Sequence, residues 1–101
     1  MAIIYIAGPM TGLENFNRDN FNTTAARLWG AGHTVLNPAI LPDGLRYEHY
    51  MDISIAMLRG ADEIYLLKGW ENSEGAKREF NLARHLRLNI STPESRKGGA
   101  S

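Results

Sequence analysis

Short apolar runs alternate with amphipathic stretches along this chain, and that alternation limits its fold more than any other feature. Ala2 to Ala7 is apolar without interruption, rich in β-branched and aromatic side chains, and stops at Gly8-Pro9. Such a run reads as a strand buried on both faces, the kind a parallel sheet uses. Phe21, Ala25, Leu28 and Trp29 then recur at helical spacing, with Asn15 or Asn17 as N-cap and Gly30 and Gly32 as stops. His33 to Leu36 predicts a second strand, and Asn37-Pro38, Pro42 and Asp43-Gly44 mark a long loop up to about Tyr47. A second helix over about Glu48 to Arg59, a third strand over Glu63 to Leu67, a third helix capped by Ser73 and running to about Leu86, and a last strand over Leu88 to Ser91 complete the order. The pattern βαβ(loop)αβαβ predicts a small doubly wound α/β domain, a parallel sheet of about four strands with helices on both faces.

At 101 residues there is room for one core, placed over residues 1–91, with the polar stretch 92–101 expected to be a disordered tail. Eleven basic residues balance eleven acidic ones, so there is no electrostatic footprint for nucleic acid or an anionic membrane surface. The absence of cysteine excludes a thiol nucleophile, a disulfide framework and Cys-ligated metal. His33, His49 and His85 have no metal-binding spacing, so neither a metal nor a redox cofactor is expected. No apolar stretch approaches the roughly 18 residues of a membrane span, and the N-terminus has no basic leader, which together predict an untargeted, cytoplasmic protein.

In a doubly wound sheet, ligands sit outside the carboxyl ends of the strands. Three segments fall there: Gly8-Pro9-Met10-Thr11-Gly12, Asn37 to Tyr47, and Lys68 to Gly75. The first matches neither the dinucleotide fingerprint nor the phosphate loop of NTPases, although its two glycines also suit a plain tight turn. Within the others, Asn37 could hydrogen-bond a ligand or serve only the turn at Pro38. Trp70 could stack a nucleobase or belong to the core or its rim, and Ser73 could contact an anion or simply cap a helix.

Glu79 is the most informative residue. At about 100° per residue it lies within the apolar arc that includes Ala76, Phe80, Leu82, Ala83 and Leu86, while Lys77, Arg78 and Arg84 occupy the outer face. A carboxylate on a core-facing stripe is paired, or it is used with a tuned pKa as nucleophile or base. The second helix is also unusual. Tyr47, Met51, Ile55 and Leu58 share one face with Ser54 at its edge, whereas Ile53, Ala56 and Met57 are apolar on the other. An apolar second face predicts contact with another copy of the chain, as a homodimer or higher homo-oligomer.

Tyr5-Ile6-Ala7-Gly8-Pro9-Met10-Thr11-Gly12 resembles the opening strand and loop of the nucleoside 2-deoxyribosyltransferases and the related 2'-deoxynucleoside 5'-monophosphate N-glycosidases. Ser73-x-Gly75-x3-Glu79-x3-Ala83 resembles their catalytic helix, and the Gly-Trp-x2-Ser-x-Gly-Ala-x2-Glu run from Gly69 to Glu79 is most similar to a phage and bacterial branch of that superfamily. The resemblance extends to Asn89 and implies a flavodoxin-like fold. It puts Glu79 on the nucleophile that attacks C1' of the sugar and displaces the base. It also implies contacts to a nucleoside or nucleotide from the Gly8 to Gly12 loop and Ser73, to which Asn37, Trp70 and Gly75 are added as candidates by their place at the strand ends.

The sequence departs from that pattern at three places. An orienting acid of the family falls on Ser54, with Asp52 two residues away and about 200° round the helix. Pro9 and Thr11 stand where the monophosphate-specific relatives have a serine and an arginine that hold the 5'-phosphate, and Asn81 replaces a glycine. Two functional classes therefore follow from the sequence. One is an N-glycosidase or deoxyribosyltransferase working through Glu79, with Asp52 or Ser54 assisting. The other is a non-catalytic protein that binds a nucleotide or nucleotide signal in the same cleft.

Overall fold

The computed structural model describes residues 1–95. Four parallel strands, β1 (Ile3–Ala7), β2 (Thr34–Leu36), β3 (Glu63–Leu66) and β4 (Asn89–Ser91), form one sheet in the order β2-β1-β3-β4. Three α-helices connect them: α1 (Arg18–Gly30), α2 (Tyr47–Arg59) and α3 (Glu74–His85). This strand order is flavodoxin-like, as expected from the alternation.

The pleat explains why β1 and the stretch from Ile64 to Leu67 read as unbroken apolar runs. Successive side chains point to opposite faces, and both faces are covered. Ile4 and Ile6 of β1 join Tyr65 and Leu67 against Phe21, Ala25 and Leu28 of α1. The alternate residues Tyr5 and Ala7 join Ile64 and Leu66 against Leu58 of α2 and Ala76 and Ala83 of α3. One helix therefore covers one face and two cover the other.

Several local expectations change. Trp29 was placed with the core stripe of α1, but it follows Leu28 by about 100° and is 55% exposed. Asn17 is the N-cap of α1, yet its side chain makes no capping bond to the helix; it donates instead to the Pro9 carbonyl at 2.9 Å, with a left-handed φ of 62°. The loop after β2 contains a 3-10 turn, Pro38–Ile40. On α2, Met51, Ser54 and Leu58 are buried and Met57, expected on the outer apolar face, is half-buried against the core, whereas Ile53 and Ala56 remain exposed. Thr92 and Ser95 bond each other through backbone N–H and hydroxyl groups, so the stretch expected to be a disordered tail opens with an ordered turn. The remainder of that expected tail lies outside the described residues. Among the described residues no helix is long and apolar enough to cross a membrane.

Candidate functional site

The sheet's connections diverge at β1 and β3, and a cleft opens beyond the carboxyl ends of these neighbouring strands, where a doubly wound sheet binds ligands. Its volume is about 530 Å³, within the range of small-molecule sites. The loop after β1, the loop after β2, the first turns of α2 and the start of α3 enclose it.

Each wall has a local cause. Gly8 is required because a Cβ there would lie 2.8 Å from the Cβ of Leu67, so only glycine lets the chain leave β1 beside β3. Pro9, Met10 and Thr11 then line the cleft. Ser73 caps α3 by accepting the Ala76 N–H on its hydroxyl at 3.2 Å, which starts the helix at the cleft edge. Gly75 lets α3 approach α2, where an added Cβ would meet the Met51 sulfur at 3.2 Å.

Glu79 lies on the cleft wall and is only 6% exposed. The Tyr5 hydroxyl donates to its Oε2 at 2.6 Å, and no group among the described residues bonds Oε1. Since no fully buried side-chain oxygen among the described residues lacks a partner, Oε1 keeps some accessible surface, and Glu79 lines the cleft. Burial raises the Glu79 pKa to about 7, while the hydrogen bond from Tyr5 works against that rise. The Tyr5 phenol is itself pushed well above its ordinary value, chiefly by burial and then by the Glu79 charge, so it stays protonated and serves as a donor. Ser54 approaches the phenol from α2 and opposes that rise, the least of the influences on it. The result is a carboxylate oxygen facing a sheltered cavity, close to the midpoint of its titration at neutral pH, and oriented by a phenol.

The candidate residues separate clearly. Gly8, Pro9, Met10, Thr11, Ser54, Ser73, Gly75 and Glu79 all line the cleft. Asp52 does not; α2 is not rotated to present it, and its side chain is exposed while Ser54 is buried. Asn37 is consumed by its own turn, accepting the Ala39 N–H at 3.0 Å and donating to Asn22 at 2.9 Å. Trp70 stacks on Phe80, ring centroids 4.6 Å apart, outside the cleft. Gly12 provides a left-handed turn at φ 83° beyond the lining, and Asn81 is exposed and away from it. His33 accepts the Ala2 N–H at 3.0 Å, and among the described residues no cluster of His, Cys, Asp and Glu could hold a metal ion.

Sequence reasoning missed Tyr5, Phe16 and Arg18 as cleft residues, whereas Asp43 and Tyr47 belong to the Asn37 to Tyr47 segment expected at the ligand edge. Phe16 and Tyr47, each 45% exposed, supply the aromatic surface that had been sought in Trp70. Period-two alternation in β1 puts Tyr5 on the Glu79 side and was the available signal for it.

These features define a small parallel α/β domain with a preformed cleft at the carboxyl edge of its sheet and a buried, cavity-facing carboxylate. The chain belongs to the family described as a domain of unknown function, DUF4406, whose model matches residues 2–92. No curated protein matches it.

Proposed function

We propose that this protein binds a nucleoside or nucleotide in the cleft and breaks its N-glycosidic bond, with Glu79 as nucleophile. The observation that carries the reading is the Glu79 carboxylate, bonded to Tyr5 on one oxygen and open to the cavity on the other. The resemblance of the Gly8 to Gly12 loop and the Gly69 to Glu79 run to deoxyribosyltransferases and their N-glycosidase relatives supports it.

In this reading the ionised Glu79 oxygen forms a bond to C1' as the bond from C1' to the base nitrogen breaks. The electron pair leaves with the base, which takes up a proton from water. Water then attacks C1' of the glycosyl ester, regenerating the carboxylate and releasing the sugar and a proton. A second base in place of water would make the same site a transferase. Tyr5 is a positioning residue: its hydroxyl fixes Oε2, aims Oε1 and stabilises the charged form. Phe16 and Tyr47 offer ring faces to the base. The exposed Ile53 and Ala56 of α2 remain our proposed contact with a second copy, which sedimentation would test.

The second reading, a binder without turnover, is favoured by one observation. Ser54 occupies the cleft position at which the resemblance implies an orienting acid, and Asp52 points away. Incubating the protein with deoxy- and ribonucleosides and their 5'-monophosphates, with and without an acceptor base, distinguishes the two by chromatography. Base release that disappears in Glu79→Gln supports the glycosidase. Retention of an intact nucleotide by both forms supports the binder.

A further inference from the structure

The charge distribution of the cleft narrows the ligand, given the nucleoside reading above. Arg18 is the only cationic side chain on the lining among the described residues, beside two carboxylates apart from Glu79, those of Asp43 and Glu74. Its charge is already engaged. The guanidinium donates to Asp43 Oδ1 at 2.6 Å and to the Leu41 carbonyl at 3.4 Å, and it lies 5.1 Å from the centre of the Phe16 ring. The Arg18 side chain is only 20% exposed, which keeps it at the wall. Two other cations come near without joining the lining: Lys77 stands 3.9 Å from Glu74, and Arg78 lies 5.8 Å from the ring centre of Tyr47.

The start of α3 does not reverse this balance. Its free N–H groups favour an anion, but Glu74 occupies the first helical position and the Ser73 hydroxyl has already taken the Ala76 N–H. An entering phosphate dianion would meet an excess of negative charge. It would share Arg18 with Asp43, whose carboxylate already offsets the guanidinium charge through a short bond to Nη2. A neutral sugar hydroxyl meets neither obstacle.

We infer that the Arg18–Asp43 pair acts as a charge filter, so that the cleft accepts a nucleoside with a free 5'-hydroxyl and turns away the corresponding 5'-monophosphate. Asp43 does this by offsetting the charge of the one cation on the lining among the described residues. Freed of Asp43, Arg18 would become an anion site on the wall of the same cleft.

The test measures equilibrium binding of 2'-deoxynucleosides and their 5'-monophosphates to Glu79→Gln protein, in which turnover is suppressed, and to the same protein carrying Asp43→Asn. The nucleoside is expected to bind at least about tenfold more tightly than its monophosphate, and Asp43→Asn to raise the ratio of monophosphate to nucleoside affinity by about tenfold at low salt. A second measurement needs no further variant. Added salt screens repulsion, so monophosphate affinity should rise with ionic strength, whereas an attractive phosphate site would lose affinity. A monophosphate that binds more tightly than its nucleoside, with affinity falling as salt rises, overturns the filter and leaves the glycosidase reading standing. Failure of both ligand classes to bind any form overturns the nucleoside reading and the filter with it.

Discussion

The buried carboxylate of Glu79 should make the stability of the fold depend on pH in a direction opposite to that of an ordinary paired acid. Its folded pKa, about 7, lies above the usual 4.5 because burial disfavours the charged form. Between those values the native state holds a proton that the unfolded chain has released, so stability falls as pH rises through that interval. The penalty is absent below about pH 4 and fully present above about pH 8. At about 1.4 kcal/mol per pH unit, the interval corresponds to about 3 kcal/mol. Glu79→Gln removes the titration, and its amide oxygen can still accept the Tyr5 hydroxyl. Urea unfolding followed by circular dichroism at pH values from 4 to 8 should therefore show the variant gaining about 3 kcal/mol on the wild type across the series. Parallel stability curves would refute the reasoning, because they would mean that Glu79 has the same proton affinity folded and unfolded.

Tyr5→Phe removes the hydrogen bond that stabilises the Glu79 carboxylate, so the acidic limb of the pH profile for base release should move to higher pH, measured as kcat/KM against pH. Arg87 sits at φ 61° just after α3, where its N–H reaches the Arg84 carbonyl and the Leu88 N–H reaches that of Ala83, a helix end that favours glycine. Arg87→Gly should stabilise the fold by about 0.5–1 kcal/mol and raise the thermal midpoint by about 3–6 °C. Leu58→Ala, at a side chain with no exposed surface, should cost about 2–5 kcal/mol in urea unfolding. Gly8→Ala puts a Cβ 2.8 Å from that of Leu67 and should cost about 1–3 kcal/mol by the same assay.

The order of elements was legible because a strand covered on both faces has no polar positions to interrupt it, as Ile4 through Leu66 and their neighbours illustrate. Glu79 was legible for a related reason: a charge within an apolar helical stripe needs a physical account, and the structure provides one in Tyr5 and the cleft. Tyr5 itself was harder to see. In a strand buried on both sides every residue looks like core, and the partner of this hydroxyl lies 74 positions along the chain.

The filter pair was hidden in the same way, since Arg18 and Asp43 are 25 residues apart and each resembles an ordinary surface charge. For Trp70 and Asn37 the sequence left a ligand role and a structural one open, because position after a strand does not determine orientation, and the structural role holds. Phe80 gives the indole a packing partner, and the Pro38 turn uses the amide. Three successive residues in the left-handed region, Asn15, Phe16 and Asn17, set the entry to α1 beside the cleft, a conformation no local propensity predicts.

The central claim, that Glu79 attacks the sugar, is tested most directly by looking for the bond it would form. The protein would be mixed with a 2'-deoxynucleoside, quenched in acid at short times, and its intact mass and peptides measured. The account predicts a transient deoxyribosyl adduct on the peptide containing Glu79, formed with release of one equivalent of base and absent from Glu79→Gln. Base released without any adduct, or a nucleoside left whole by both proteins, would contradict it.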